Sequence, residues 1–187
     1  MRLVIEGRKL DFNLNLFRDI ATPIDRLLKR YYRVDGEIAD MLDYPPKAEN
    51  IFGLGFAAAQ VYLVSTLGEY NNSSDIFLSK DVALSLGPRH HSGITMVNLV
   101  NHGANYWKHS DEWSETGSNG QRDRILNTFS SLGIDSYYPL YQLLEQITGT
   151  AQPLLTQICS TLEEWHNSLE KNVVNKCQHT PSEQEDF

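Results

Sequence analysis

The segment from residue 47 to about residue 69 is the most apolar part of the chain, and drawn as a helix it leaves almost no polar face. Such a helix has to be covered on every side by other elements of the fold. The sequence therefore predicts a central buried helix here, with the rest of the chain packed around it. Its apolar side chains are Phe52, Phe56, Ala57, Ala58, Ala59, Val61, Leu63 and Val64.

Apolar residues elsewhere recur mostly at helical spacing, in segments separated by turn-forming residues. The chain has 187 residues, a length that suits one domain better than two. We therefore predict a mostly α, single-domain bundle of about six or seven helices over residues 1–174. The stretch "RLVIEGRKLDF" could add a short N-terminal β-hairpin around Gly7. The polar, acidic and aperiodic segment 175–187 is predicted to be a disordered tail.

Capping residues predict where several helices begin and end. Thr22 and Pro23 suit the N-cap and first position of a helix that ends at Gly36. Ser92 suits the cap of a helix over 93–113. Further helices are expected at 37–43, where Pro45 and Pro46 would stop the helix, at 76–86, at 121–132 before Gly133, and in two parts over 137–171, with a new start at Thr150 and Pro153.

The helix predicted at 93–113 has two faces of different character. A helical wheel places its apolar residues on one arc and a nearly continuous polar stripe on the other. Exposed helix faces usually carry Glu, Lys, Arg and Gln, whereas each Asn or His costs around half a kcal/mol relative to Ala. Solvent, a buried polar network and a functional site all stay open as surroundings for this stripe. The polar stripe consists of Asn98, Asn101, His102, Asn105, Lys108, His109 and Glu112.

A metal site in this stripe is not expected. His102 and His109 are seven residues apart, or roughly 10.5 Å along a helix axis, whereas two nitrogen ligands of one zinc ion lie about 4 Å apart. His109 and Glu112 have a workable spacing, but the sequence offers no third ligand. Cys159 and Cys177 form no metal-binding pair and are predicted to be free thiols. We expect neither a metal nor another cofactor.

Charge and hydropathy limit the partners of the chain. The 16 basic and 24 acidic side chains give a formal charge of −8, which argues against broad DNA binding because that binding needs clustered cations. The longest apolar stretch, 51–64, is shorter than the roughly 20 residues that a membrane-spanning helix needs. The N-terminus also lacks the apolar core of a signal peptide. The sequence therefore predicts a cytoplasmic protein that does not contact membranes.

The stretch "HGANYWKH" resembles the polar motif of the HEPN superfamily, an all-α group that occurs in prokaryotic toxin–antitoxin and phage-defence systems. In that family an Arg, often followed by Asn, Asp or His, precedes a His by four to six further residues on a late helix. Here His102 stands in place of the Arg, and six residues separate it from His109. The resemblance covers about 20 residues around this helix.

The resemblance implies a metal-independent ribonuclease in which two copies meet at a dimer interface. His109 would then act as acid or base, with His102, Asn105 and Lys108 in supporting roles near a phosphate. Losing the Arg removes a permanent charge with bidentate phosphate geometry, which favours a degenerate relative that binds RNA or a nucleotide without cleaving it. The predicted binding residues are Asn98, Asn101, Glu112 and Arg89.

A second function class stays open beside this one. The polar stripe could instead serve a non-catalytic helical module that binds a protein partner or forms a homodimer. The net acidic charge favours that alternative, whereas histidine and lysine in one stripe favour phosphate chemistry. The positions of Arg89, Arg122 and Arg124 discriminate between the two, because arginines gathered around His109 would restore an anion site.

Overall fold

The computed structural model describes residues 2–5, 8–32, 45–113 and 120–177. Within these ranges an antiparallel hairpin precedes seven α-helices, which confirms the predicted all-α bundle. Two short 3-10 turns, Ser110–Glu112 and Leu155–Gln157, follow α4 and precede α7. The elements are β1 Arg2–Ile5, β2 Arg8–Asp11, α1 Phe12–Tyr31, α2 Pro45–Ser73, α3 Lys80–Leu84, α4 Met96–His109, α5 Gly120–Ser131, α6 Pro139–Thr148 and α7 Ile158–Cys177.

The first helix begins earlier than predicted. Asp11 ends β2 and caps α1, since its carboxylate accepts a hydrogen bond from the Leu14 amide at 3.0 Å. The predicted start at Thr22 and Pro23 is wrong, because both residues lie inside α1. The Thr22 hydroxyl donates back to the Arg18 carbonyl at 2.7 Å. The predicted exit at Gly36 and the predicted helix 37–43 lie outside the described residues.

Helix α2 is the central helix, as predicted, and packs against α1, α4, α6 and α7. Phe52 and Phe56 are completely buried. The prediction that every face is buried is wrong, because Leu54, Val61 and Val64 are each more than half exposed. By length and composition alone Ala48–Ser73 could cross a membrane, which the shorter stretch 51–64 did not indicate, and half of its most apolar window is buried within this fold.

Helices α2 and α4 approach each other closely because glycines face the neighbouring helix. A Cβ on Gly53 would lie 2.1 Å from Cδ1 of Trp107, and a Cβ on Gly103 would lie 2.9 Å from Cδ1 of Phe56. Both distances are too short for non-bonded carbon atoms. The two glycines therefore permit a spacing between these helices that no larger residue would allow.

The polar helix begins at Met96 instead of near Ser92. Thr95 occupies the N-cap position, and its hydroxyl donates to the Leu84 carbonyl, which ties the start of α4 to the end of α3. Ser92 contacts the His90 ring instead, at 3.0 Å from Nδ1, so the predicted cap is wrong. The predicted exit of α5 at Gly133 is confirmed by its left-handed backbone, with φ of +72°.

The last helix is positioned by a residue far away in sequence. The carboxylate of Asp25 on α1 accepts hydrogen bonds from the backbone amides of Leu155 and Thr156, at 2.7 and 3.1 Å. The helical run therefore starts at Leu155 and not at Thr150 or Pro153. It continues to Cys177, three positions into the predicted tail, and residues 178–187 lie outside the described part of the chain.

Candidate functional site: a basic cleft beside α4

The polar stripe of α4 forms one wall of a cleft of about 540 Å³. This volume falls within the roughly 300–1,000 Å³ that is typical of small-molecule sites. The other walls come from α3, the loop that follows it, and α5. The stripe contributes Asn98, Asn101, His102 and Asn105, and the facing polar side chains include Lys80, Asp81, Arg89 and Arg124.

Two members of the stripe are buried, so a purely solvent-facing stripe is excluded. Asn101 is 7% exposed and His102 is 5% exposed. The apolar face of α4 packs on α2 and α6, while α5 and the α3 region enclose the polar face. Buried polar groups need hydrogen-bond partners, and the partner of two asparagines comes from α2.

Gln60 of α2 connects three side chains of the stripe. Its Nε2 donates to Asn101 Oδ1 at 2.8 Å and to Asn105 Oδ1 at 3.0 Å, while Lys108 Nζ donates to its Oε1 at 2.5 Å. An ammonium group can only donate, so the Gln60 atom that faces Lys108 has to be oxygen. The Gln60 amide nitrogen therefore has to face the two asparagines, which fixes the orientation of all three amides.

This network determines what the cleft offers a ligand. The carbonyl oxygens of Asn101 and Asn105 each accept a hydrogen bond from Gln60. Their NH₂ groups therefore stay available to a ligand in the cleft. Amide NH₂ groups are hydrogen-bond donors and suit an anion. The same two asparagines thus serve the structural network with their carbonyl oxygens and the surface of the cleft with their NH₂ groups.

Cations outnumber carboxylates around the cleft. Among the described residues, Lys80, Arg89 and Arg124 line it together with one acid, Asp81. Arg89 donates to the carbonyls of Gly93 and Ser85, at 2.7 and 3.1 Å, and these neutral acceptors hold the guanidinium without cancelling its charge. In the described part of the chain no salt bridge joins Lys80 or Arg124 to an acid. A chain with a formal charge of −8 thus has a locally positive cleft.

His102 lies at the inner wall of this cleft with a polar atom that lacks a partner. Its Nδ1 is buried and makes no hydrogen bond to the described residues. Burial and the nearby Arg124 charge lower the pKa of His102 to about 4, so the ring is neutral at neutral pH. Burial and the charge of Lys80 similarly lower the pKa of Lys108. In both cases burial is the larger cause, and the second cause is a neighbouring positive charge.

The structure does not bring His109 together with His102 in this site. His109 Nδ1 lies 3.0 Å from Glu112 Oε2, and their side chains are 42% and 72% exposed. Neither residue lines the cleft, and Lys108 points to Gln60. The two arginines that line the cleft, Arg89 and Arg124, therefore accompany His102 instead of His109.

Sequence reasoning missed two residues of this site. Gln60 had a signal, because it is the one amide or charged side chain between residues 51 and 64 of the most apolar helix. A lone amide in such a helix has to find a partner. Lys80 gave no signal, because a lysine at the start of a short helix is typical of any surface.

The described residues contain no group of three or more His, Cys, Asp or Glu side chains placed to hold a metal ion. Cys159 is a buried free thiol, and burial raises its pKa, which makes it a poor nucleophile. The Cys177 side chain lies outside the described part of the structure.

The chain matches no protein-family model, no curated protein and no solved structure. The resemblance to the HEPN superfamily therefore stays a prediction based on residues 102–109.

Proposed function

We propose that this protein binds a phosphate-bearing small molecule in the cleft beside α4. The observation that carries the proposal is the combination of Lys80, Arg89 and Arg124 around a neutral His102 ring, whose Nδ1 has no partner among the described residues. Guanidinium and ammonium groups with converging N–H donors are the usual ligands of a phosphate dianion. A nucleotide belongs to this ligand class, in agreement with the nucleotide-binding branch of the HEPN-like hypothesis.

The geometry supports binding better than cleavage. A general base works best when its pKa lies near the working pH, and the pKa of about 4 leaves His102 weakly basic. His109, the acid or base implied by the family resemblance, pairs with Glu112 outside the cleft. We therefore propose that this chain is a HEPN-like protein that binds its ligand without cleaving it.

The alternative function, a protein-interaction or self-association module, would have to rest on the exposed members of the polar stripe, His109 and Glu112. Asn101 and His102 are too buried to contact a second chain without opening the cleft. Lys108 and Asn105 are already engaged by Gln60.

The test is calorimetric titration of the protein with inorganic phosphate and with adenosine monophosphate. We expect saturable binding that weakens about tenfold or more in Arg124→Gln, because a charge-assisted contact is worth roughly 1.5–3 kcal/mol. Arg122→Gln is the matched control, since Arg122 lies on the same helix but does not line the cleft.

A gel assay for RNA cleavage completes the experiment. We expect no cleavage by the wild type. Absence of any phosphate or nucleotide binding would overturn the proposal, and so would equal affinities of the wild type and Arg124→Gln. Cleavage that disappears in His109→Ala would return the ribonuclease hypothesis to first place.

A further inference from the structure

A second, smaller cavity of about 150 Å³ adjoins the cleft. It lies between α2, α3 and α7, and Lys80, Leu84 and Asn101 line both spaces. These three shared residues place the two cavities side by side. We call the smaller cavity the side pocket.

The chemistry of the side pocket is opposite to that of the cleft. Its walls are mainly apolar; of its polar groups, Asn101 and Lys80 also line the cleft, and Gln60 lines the side pocket alone. The amides of Gln60 and Asn101 already bond to each other. The apolar walls are formed by Leu63, Val64, Leu67, Ala83, Leu84 and Trp165.

We infer that the ligand is a phosphate monoester of a small aromatic alcohol, whose ring occupies the side pocket while its phosphate contacts the cations of the cleft. This inference rests on the proposed phosphate site and narrows its ligand class. An apolar cavity of about 150 Å³ has the size that holds one benzene ring. Lys80 stands at the junction of the two spaces, where the phosphate and the ring would meet.

A nucleobase suits this pocket less well than a phenyl ring. The edge of a base carries hydrogen-bond donors and acceptors, and these would be left without partners against Leu63, Val64 and Trp165. A phenyl ring has no such groups and gains from the removal of apolar surface from water.

The experiment compares inorganic phosphate, phenyl phosphate and adenosine monophosphate by calorimetry. We expect phenyl phosphate to bind about tenfold tighter than inorganic phosphate, because ring burial adds to the same anion contacts. Val64→Trp should fill the side pocket from its exposed edge and remove this preference while leaving phosphate binding unchanged. Val61→Trp is the matched control, because Val61 is similarly exposed on α2 and does not line either cavity.

An NMR experiment on the wild type alone tests the position of the ring independently. Nuclear Overhauser contacts should join the phenyl protons of bound phenyl phosphate to methyl groups of Leu63 and Val64. Equal affinities for phenyl phosphate and inorganic phosphate, or tighter binding of the nucleotide, would overturn this inference while the phosphate site stands. If none of the three ligands binds, the proposed function fails together with it.

Discussion

His166 Nδ1 and Asp11 Oδ2 lie 2.7 Å apart in a buried contact that joins the N-terminal hairpin to the last helix. The Tyr62 hydroxyl donates to the same carboxylate oxygen at 3.1 Å, and Arg2 Nε donates to it at 3.3 Å. The hairpin, α2 and α7 therefore meet at one carboxylate. Because Asp11 also caps α1, this residue couples local helix formation to long-range packing.

Removing that carboxylate should destabilise the whole domain. We expect Asp11→Ala to lower the free energy of unfolding by about 3 kcal/mol, because it leaves buried donors without an acceptor and removes a helix cap. Urea denaturation followed by circular dichroism measures the effect. Asp19→Ala, an exposed position on the same helix, should change stability by less than about 0.5 kcal/mol. Equal losses in the two variants would contradict this role for Asp11.

The same carboxylate should make the protein sensitive to strong acid. Burial alone raises the pKa of Asp11, but hydrogen bonds from His166, Leu14 and Tyr62 and the His166 charge outweigh it and hold the pKa well below the ordinary 3.8. A lowered pKa stabilises the fold above pH 3.8, and this stabilisation is lost as the pH falls through the folded-state value. Urea midpoints should therefore fall below pH 3.8 in the wild type and change less in Asp11→Ala.

Glu49 should make the fold less stable as the pH rises, whereas Asp11 makes it less stable as the pH falls. Its carboxylate accepts hydrogen bonds from the amides of Leu140 and Tyr141 at the start of α6, at 3.0 and 3.2 Å. Burial outweighs these bonds and raises the pKa of Glu49 from 4.5 to about 7. Since the folded state then holds the proton more tightly than the unfolded chain, stability should fall by about 2 kcal/mol as the pH rises from 4.5 to 7.

The control for this effect is Glu49→Gln, which is neutral at every pH. Urea unfolding at pH 5 and pH 8 should show a smaller difference in this variant than in the wild type. An unchanged difference would mean that other groups cause the pH dependence.

His102 provides a direct measure of the potential in the cleft. Its ring should titrate with a pKa of about 4 in the free protein, and the value should rise when phosphate binds, because a neighbouring anion favours the imidazolium. Arg124→Gln should also raise the pKa of His102 in the free protein, since a repelling charge is removed. Ring-proton chemical shifts followed by NMR report both changes. A pKa of His102 that responds neither to phosphate nor to Arg124→Gln would separate this residue from the anion site.

Gln60 should determine which atoms of Asn101 and Asn105 face the cleft, although it does not line the cleft itself. In Gln60→Glu the carboxylate can still accept from Lys108 but can no longer donate, so Asn101 and Asn105 should turn their NH₂ groups toward it. Their carbonyl oxygens would then face the cleft and repel an anion. We expect phosphate binding to weaken about tenfold with little loss of stability, as measured by calorimetry and thermal melting.

The matched comparison is Gln60→Leu, which leaves all three polar partners unsatisfied. It should lower stability by about 1–3 kcal/mol. If Gln60→Glu bound phosphate as tightly as the wild type, the amide orientation would not matter for the ligand.

The central position of α2 could be predicted because a nearly all-apolar helix is stable only inside a fold. The start of α1 could not, because Asp11 is the last residue of a strand and its capping role depends on the hairpin that precedes it. Likewise, no local signal at Asp25 indicates that its carboxylate contacts the chain 130 positions later. In both cases several helix starts are compatible with the local sequence, and tertiary contacts determine which one forms.

For the site, residue type indicated which face of α4 lines the cleft, but not which side chains bond to that face. The helix cost of several asparagines indicated that Asn101 and Asn105 needed fixed contacts. The atoms that satisfy them depend on how far α2 is shifted along its axis relative to α4. The spacing of residues in the sequence does not determine this shift. Nor does the histidine spacing show that α3 and α5 enclose His102 and leave His109 at the surface.

The absent side chain of Gly103 sets a limit on how this cleft can change. Phe56 of α2 and Leu143 of α6 occupy the space that a Cβ at Gly103 would need, so a larger residue there would push α4 away from both neighbours. Gln60 would then lose its reach to both asparagines together. Substitutions of Lys80 or Arg124 can change the charge of the cleft one side chain at a time. The hydrogen-bond donors and acceptors of the cleft instead change all together, because they depend on the distance between the backbones of α2 and α4.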